Sequence, residues 1–600
     1  MCGSSKAETI GLSPIQQTVL VAMTDRSGTG YRNWFLLNDR GDQLLIILSL
    51  VIGVVVGLTV VAFILVTGRF AARIYPPDSA AWRRLAVPTA GSLISGYLLY
   101  KYFPNARGSG IPQAKFAIFI RDGYIALRTV VGKFLCCSIS LASGIALGRE
   151  GPSVQIGAGI ASAIGRAAGL SPARVRALVP VGCSAALAAA FNTPIAAVLF
   201  SLEEILGDMH APVLGSVVLS SATSWMVLHL LLGDEPLFHV PPYRLVHPLE
   251  FAIYAVLGIV GGLASVCFVK LLLWLRARFR QLSPSTVWFQ PAIGGLVVGL
   301  MALAVPGVLG VGYDLVDGVL GGDSTLRTVA LLAVLKLIAT PVCYSSGNAG
   351  GIFGPSLFIG AMIGAAVGSV AHTTLPALTA SPGAYALVGM GALFAGIVRT
   401  PLTSVIMIFE MTRDYSIIVP LMISNLISFF ISRQLQREPI YEALALQEGV
   451  FLPSGDSREE LTGARVREVM SGTPAILSPD ATIEEVKAFF EQQRSNAWPM
   501  GEGNRVEGVV SRGEVESADS AAALLEVPAG DIRLRDITAK RGDGKGYPYV
   551  HPDHPVSYAL EKMRITGFDT LPVVSRAGIH ELCGVLTRRQ ILESYGISAH

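Results

Sequence analysis

Gly148-Arg149-Glu150-Gly151-Pro152 sets an arginine and a glutamate between two apolar stretches, Val130 to Leu147 and Val154 to Ile164. An ionisable side chain at bilayer depth is costly, so an acid placed there is expected to have work to do. The glycines let the backbone break and turn, and Pro152 suits the first turn of a new helix because it has no N–H to leave orphaned. A helix starting there aims its free N–H groups and positive dipole end into the break, where Glu150 supplies a carboxylate. The other reading of such a pair is a charged surface loop between two spans.

Two more breaks have the same make-up, Gly108-Ser109-Gly110-Ile111-Pro112 and Gly350-Gly351-Ile352-Phe353-Gly354-Pro355. If the three helix starts converge, their backbone N–H groups form a cage that holds an anion without a full positive charge, so the ion can bind and still leave. Helix N-termini repel cations, which argues against a cation transporter regulated by the C-terminal region. Neither a His/Asp/Glu cluster at metal spacing nor a nucleophile–base set stands in the apolar region, so no metal site and no enzyme are expected.

The surrounding chain is built to carry such breaks through lipid. Of 600 residues, 52% are hydrophobic and 15% charged, where a soluble protein has about a quarter charged. A net charge of +3 gives no reason to expect a nucleic-acid partner. The seven cysteines lie mostly in apolar runs without C-x-x-C spacing and read as small buried hydrophobes. Residues 1–42 are mixed polar and lack the pattern of a signal peptide, so the span Gln43 to Thr67 is expected to act as its own insertion signal. Apolar stretches follow near 86–103, 113–120, 125–147, 153–168, 175–206 and 213–233, several too short or too glycine-interrupted to span alone. Such segments mark helices that stop halfway around a binding site.

A second half, with runs at 249–276, 288–304, 325–343, 351–371, 383–398 and 402–434, repeats the first. Gly148 lies 105 residues past Gln43, and Gly351 lies 102 past Leu249. Thr193-Pro194 and Thr400-Pro401 lie 150 and 151 residues in, and each threonine is followed ten residues later by a glutamate, Glu203 or Glu410. Repeated halves with broken helices place the site near mid-membrane, where they meet. Arg399 reads as a helix-start or interface arginine, Arg149 as structural, and His210 and His229 as interface histidines.

Beyond Arg437 the composition becomes that of a soluble region. Two units, Val466 to Glu514 and Leu534 to Ile591, each open an amphipathic helix from a polar turn and end in a strand that leads to a new helix. They resemble a tandem pair of CBS domains.

With these motifs in place, the chain resembles the CLC family of chloride channels and proton/chloride exchangers, over about residues 43 to 445. The resemblance implies a polytopic α-helical membrane protein with a CLC-type inverted repeat and broken helices, followed by α/β tandem CBS domains. The expected boundaries are an N-terminal cytoplasmic segment 1–42, a membrane domain 43–445 (halves about 43–240 and 249–436), a linker 446–464, and CBS domains at 465–520 and 533–597. Chloride and protons would be the cargo of a homodimer in the lipid bilayer. The short loops point to a prokaryotic plasma (inner) membrane, and the resemblance puts the CBS domains in the cytoplasm.

Residue by residue, the resemblance makes Ser109 a hydroxyl donor to a central chloride, with the N–H groups of Ile352 and Phe353 and the hydroxyl of Tyr441 as its other contacts. A hydroxyl suits this role because it donates without adding charge. The signature positions are Gly108, Gly110 and Pro112, then Gly148, Arg149, Gly151 and Pro152, then Gly351 and Pro355. Nitrate-preferring relatives carry proline at the Ser109 position, so serine favours chloride.

Glu150 would be the gate and outer proton glutamate, held as an anion and released on protonation. Glu204 aligns with the internal proton glutamate of the exchangers, where channel members have an apolar residue such as valine. Glu203 has a repeat partner in Glu410 and reads as packing or hydrogen bonding; Glu204 has none, since Met411 stands in the second half. The expectation is therefore an H⁺/Cl⁻ antiporter, with a voltage-gated chloride channel as the alternative. Transport requires no cofactor. In the CBS pair a hydroxyl followed three residues later by an acid usually holds a nucleotide ribose. Ser511 with Glu514 fits, while Thr587 is followed by Gln590, so an adenine nucleotide and a purely dimer-stabilising role both stay open.

Overall fold

The computed structural model describes residues 30–594, apart from 77–79, 210–212, 235, 242, 244, 323, 449, 451–463, 473–475, 494, 525–531, 539–546, 577 and 579. Cys2, His210, residues 1–29 of the N-terminal segment and most of the 446–464 linker therefore lie outside the described residues. The chain divides into two compact units at Leu452/Pro453.

In the first unit, the first half consists of α1 (Gly30–Ile74), α2 (Ala81–Lys101), α3 (Ile111–Phe119), α4 (Leu127–Ala142), α5 (Glu150–Ala167), α6 (Pro172–Phe191), α7 (Pro194–Phe200) and α8 (Leu214–Leu232). The second half answers helix for helix with α9 (Glu250–Arg280), α10 (Gln290–Ala304), α11 (Tyr313–Gly321), α12 (Leu326–Ser345), α13 (Phe353–Thr374), α14 (Pro382–Val398), α15 (Pro401–Thr412) and α16 (Ile418–Leu435), and α17 (Ile440–Gln447) closes the unit. Seven helices among the described residues are long and apolar enough to cross a membrane. The helix at the start runs back to Gly30, upstream of the apolar boundary at Gln43, because hydropathy marks where lipid begins and not where backbone hydrogen bonding does.

Two apolar stretches that read as continuous are each two helices. The run 175–206 breaks at Asn192 (φ 60) and 402–434 breaks at Arg413 (φ 56), both left-handed caps that end a helix without glycine. Arg399 (φ 67) is the repeat counterpart of Asn192. It caps α14, and its guanidinium donates to the carbonyls of Ser432, Gln436 and Arg437 at the end of α16. It is thus a helix-end arginine, not a helix-start one.

Packing follows the repeat. The α5–α6 pair is mirrored by α13–α14, and α1–α8 by α9–α16, while α2 on α10, α7 on α15 and α5 on α13 join equivalent helices across the halves. Small residues let these backbones close up, as membrane helices need when no hydrophobic force separates them from lipid. A Cβ on Gly157 would lie 2.2 Å from the carbonyl oxygen of Gly182, and one on Gly360 would lie 2.4 Å from that of Gly389. Of the cysteines, Cys136, Cys137, Cys183 and Cys343 are buried as expected, whereas Cys267 is exposed on α9.

The second unit holds α18 (Val466–Val469), α19 (Ile483–Gln493), β1 (Ala497–Glu502), β2 (Arg505–Ser511), α20 (Arg512–Leu524), α21 (Leu534–Thr538), α22 (Val556–Thr566), β3 (Thr570–Val574), β4 (Leu582–Thr587) and α23 (Arg588–Ser594). Two antiparallel pairs, β1–β2 and β3–β4, lie under amphipathic helices that bury Val486 and Phe490 in one core and Val556 and Ala559 in the other.

Candidate functional site

The three breaks come together. Gly148 N–H donates to Gly351 O and Gly351 N–H to Gly148 O, both at 2.7 Å, so a two-residue ladder joins the halves. The first break packs on the second from the other side: Gly110 (φ 110) is so close that a Cβ would stand 2.3 Å from the Gly151 carbonyl oxygen. This is why glycine is needed at Gly110 and why α3, α5 and α13 start around one point.

Glu150, fully buried, is the first residue of α5, and its carboxylate reaches across the ladder. One oxygen accepts the Gly354 N–H at 3.1 Å, at the start of α13, and the other accepts the hydroxyl of Tyr313. The carboxylate therefore occupies the kind of place a helix N-terminus offers to any anion. Arg149 lies over the Tyr313 ring, 5.5 Å from its centroid, and backs the cluster without contacting the carboxylate.

Tyr313 follows Gly310-Val311-Gly312, a fourth break that matches Gly108-Ser109-Gly110, with positive φ at both outer glycines of each. It lacks the proline that marks the other three in the sequence, although the repeat spacing points to it. Each member of this pair is tied down by a buried lysine from an apolar run, where a lone lysine carries no local sign of its role. Lys133 Nζ donates to the carbonyls of Ala106 (3.0 Å) and Gly108 (2.5 Å), and Lys336 Nζ to those of Val308 (2.9 Å) and Gly310 (2.6 Å).

Ser109 and Tyr441 are fully buried, and neither hydroxyl has a hydrogen-bond partner among the described residues. A buried hydroxyl without a partner carries a desolvation cost that a bound ion would relieve. The N–H groups of Ile352 and Phe353 likewise donate to no acceptor among the described residues. Phe353 sits among Phe191, Phe200 and Phe394, with ring centroids 4.8, 5.6 and 4.3 Å away, in an aromatic wall beside the break. Tyr441 is carried in by α17, which packs on α3, α9 and α14 and brings it within electrostatic reach of Glu150 and Glu204. A cavity of about 250 Å³ lies beside Gly108, lined by Arg107, Arg276 and Arg280 and by Glu448, which pairs with Arg276 at 2.6 Å.

The two neighbouring glutamates of the first half part ways. Glu203 accepts from Leu402 N–H (3.3 Å), Thr403 N–H (2.8 Å) and Thr403 Oγ1 (2.6 Å), while Glu410 accepts from Ile195 N–H (2.9 Å) and Ala196 N–H (2.7 Å). Each acid caps the start of the other half's helix, the shared hydrogen-bonding role expected of a repeat pair. Glu204 instead turns inward, buried, and pairs with Lys115 at 2.8 Å; Lys115 also pairs with Glu442 at 2.5 Å. The residues Ser201–Leu206 form a π-helical turn, which sets the two adjacent carboxylates toward different partners. Sequence reading found neither Lys115 nor Glu442, since no spacing rule links residues so far apart in the chain.

In the second unit, Ser511 and Glu514 bond to each other, Oγ to Oε2 at 2.8 Å and Ser511 N–H to Oε2 at 2.9 Å. Thr587 and Gln590 make the matching pair, with Thr587 N–H to Oε1 at 2.8 Å and Gln590 N–H to Oγ1 at 3.1 Å. Both are capping boxes that start α20 and α23. His229, on α8, lies against Trp225 with the two rings tilted at 42° and contacts Asp234 at 2.7 Å.

These features are those of a family. The profile described as voltage gated chloride channel matches residues 91–433, and the CBS domain profile matches 466–520 and 535–596. The chain belongs to the voltage-gated chloride channel (CLC) family and carries two C-terminal CBS domains. It is 33% identical over 367 residues to the H(+)/Cl(-) exchange transporter ClcA of Vibrio campbellii, covering 60% of this chain and 78% of that protein. It is 28% identical over 661 residues to the chloride channel protein CLC-f of Arabidopsis thaliana, covering 94% of this chain and 84% of that one. Among solved structures, it is similar to a slow cyanobacterial Cl⁻/H⁺ antiporter, with TM-score 0.62 and 26% identity over 67% of this chain and 97% of the other.

Proposed function

We propose that this protein exchanges chloride for protons across a prokaryotic plasma membrane, as a homodimer with one ion path per subunit and its CBS domains in the cytoplasm. The observation that carries this reading is the Glu150 carboxylate lying at the start of α13 on the Gly354 N–H. An anion of the protein's own fills a site suited to chloride, and a proton that neutralises it removes what holds it there. Chloride then takes its place, bound by the Ser109 and Tyr441 hydroxyls and the N–H groups of Ile352 and Phe353. The arginine-lined cavity beside Gly108 draws anions toward the break. Glu204 accepts the proton on the inner side. The names of ClcA and of the cyanobacterial antiporter agree with exchange.

A gated channel is the second reading, favoured by the ion pair that ties Glu204 to Lys115 and by the name of CLC-f. Reversal potentials of the purified protein in liposomes separate the two, measured under a chloride gradient with and without an opposing pH gradient. A potential that shifts with pH, and loses the shift in Glu204→Val while chloride still flows, marks an exchanger. One that follows chloride alone marks a channel. Transport needs no cofactor; for the CBS domains, an adenine nucleotide held by Ser511 and Glu514, with Thr587 at the second site, stands beside a purely dimer-stabilising role.

A further inference from the structure

The buried cluster around Lys115 has an acid too many. Lys115, Glu204 and Glu442 have side chains only 4%, 6% and 5% exposed, and one ammonium serves two carboxylates. With all three ionised, the cluster carries a net negative charge out of reach of water, which is costly. One added proton makes it neutral. Glu442 Oε2 is buried without a hydrogen-bond partner among the described residues, so the carboxylate has an oxygen free to take that proton.

Position gives the proton somewhere to go. Glu442 is the next residue after Tyr441 on α17, and Tyr441 is within electrostatic reach of Glu150, Glu204 and Glu442 together. The other charged groups near the cluster are committed elsewhere. Glu203 caps α15, and Arg276 of α9 donates to Leu444 O and Gln447 and pairs with Glu448. Helix α14, also packed on α17, contains no acid or base except Tyr385, whose hydroxyl goes to Glu250.

We infer that Glu442 is a second proton-holding carboxylate of the inner path, sharing one proton with Glu204 across Lys115 and presenting it beside Tyr441. In the transfer, Lys115 gives a proton to Glu442 Oε1, the oxygen it contacts, as it takes one from the Glu204 carboxylic acid, and rotation of the protonated carboxyl turns the proton toward the unpartnered side. Lys115 stays an ammonium, Glu204 becomes a carboxylate, and the net charge does not change. The inference rests on the exchange reading above and adds a residue to it.

The test uses full-length protein in liposomes, with chloride and proton fluxes followed together for wild type, Glu442→Gln, Glu442→Asp, Glu204→Gln and the double glutamine variant. Glu442→Gln is expected to keep chloride flux within about threefold while protons moved per chloride fall at least about tenfold. Glu442→Asp restores coupling, and the double variant is no worse than either single one, because the two acids act as a unit. In infrared difference spectra, either glutamine variant loses the same protonated-carboxyl band. Unchanged coupling in Glu442→Gln overturns the inference and leaves the exchange reading standing. So does loss of chloride flux in both Glu442 variants, which assigns the residue to folding. A wild type that moves no protons overturns the exchange reading itself, and this inference with it.

Discussion

Tyr313 donates its hydroxyl to Glu150, so a residue that opens a helix in the second half holds the acid that opens a helix in the first. Gly354 N–H holds the other carboxylate oxygen from a third helix start. The place of the Glu150 carboxylate is thus defined by both halves at once, and neither half alone forms it.

The hydroxyl can be removed with little change of shape. A hydrogen bond to a charged group contributes about 1.5–3 kcal/mol, so Tyr313→Phe is expected to free the carboxylate and raise chloride efflux about tenfold or more. Glu150→Gln goes further, because an amide carries no charge to hold. Chloride flux should persist in that variant and stop responding to pH. Efflux from chloride-loaded liposomes, read with a chloride electrode across a pH series, checks both. A Tyr313→Phe rate equal to wild type would mean that Gly354 and the helix start suffice.

Ser109→Ala and Tyr441→Phe separate ion binding from folding. Since neither hydroxyl has a hydrogen-bond partner among the described residues, the variants should melt no lower than wild type without chloride. Chloride affinity by calorimetry should weaken about tenfold for each, the worth of one hydrogen bond to a charge. The rise in melting temperature on adding chloride should shrink to match. A lower melting point without chloride, with affinity unchanged, would make the hydroxyls packing groups.

Much of this was legible in the residues. The three Gly/Pro-bounded breaks, the repeat and the glutamate pair all leave local signals, because glycine, proline and a charge in lipid each have few physical uses. Tyr313, Lys133 and Lys336 carry no such signal, because a tyrosine or lysine in an apolar run has no local mark of its role. Lys115 and Glu442 were not legible at all. Their meaning comes from α3, the π-helical turn and α17 meeting in space, and sequence spacing does not encode that meeting. Helix ends at Asn192 and Arg413 were hidden for a related reason, since neither residue type announces a left-handed turn.

The crossed caps give a prediction about stability alone. Glu410→Ala leaves the N–H groups of Ile195 and Ala196 without their acceptor, and Glu203→Ala does the same to Leu402 and Thr403. Each should cost about 0.5–2 kcal/mol, the usual loss for a helix cap. Thermal melts in detergent read that loss, and the number of protons moved per chloride should stay as in wild type. Weakened coupling in Glu203→Ala would instead place that acid in the proton path beside Glu204.

Ser511 and Glu514 set two roles against each other. As they stand, the hydroxyl and the carboxylate satisfy one another and the first turn of α20, so a ribose must compete with the cap for the same oxygens. Ser511→Ala should lower the stability of the second unit by about 0.5–2 kcal/mol whichever role holds. Nucleotide binding is decided by titrating ATP and AMP into the full chain: a carboxylate that accepts ribose hydroxyls makes Glu514→Ala bind about tenfold more weakly. If wild type gives no binding heat with either nucleotide, while Ser511→Ala still loses stability, the pair is a helix cap and the nucleotide site falls.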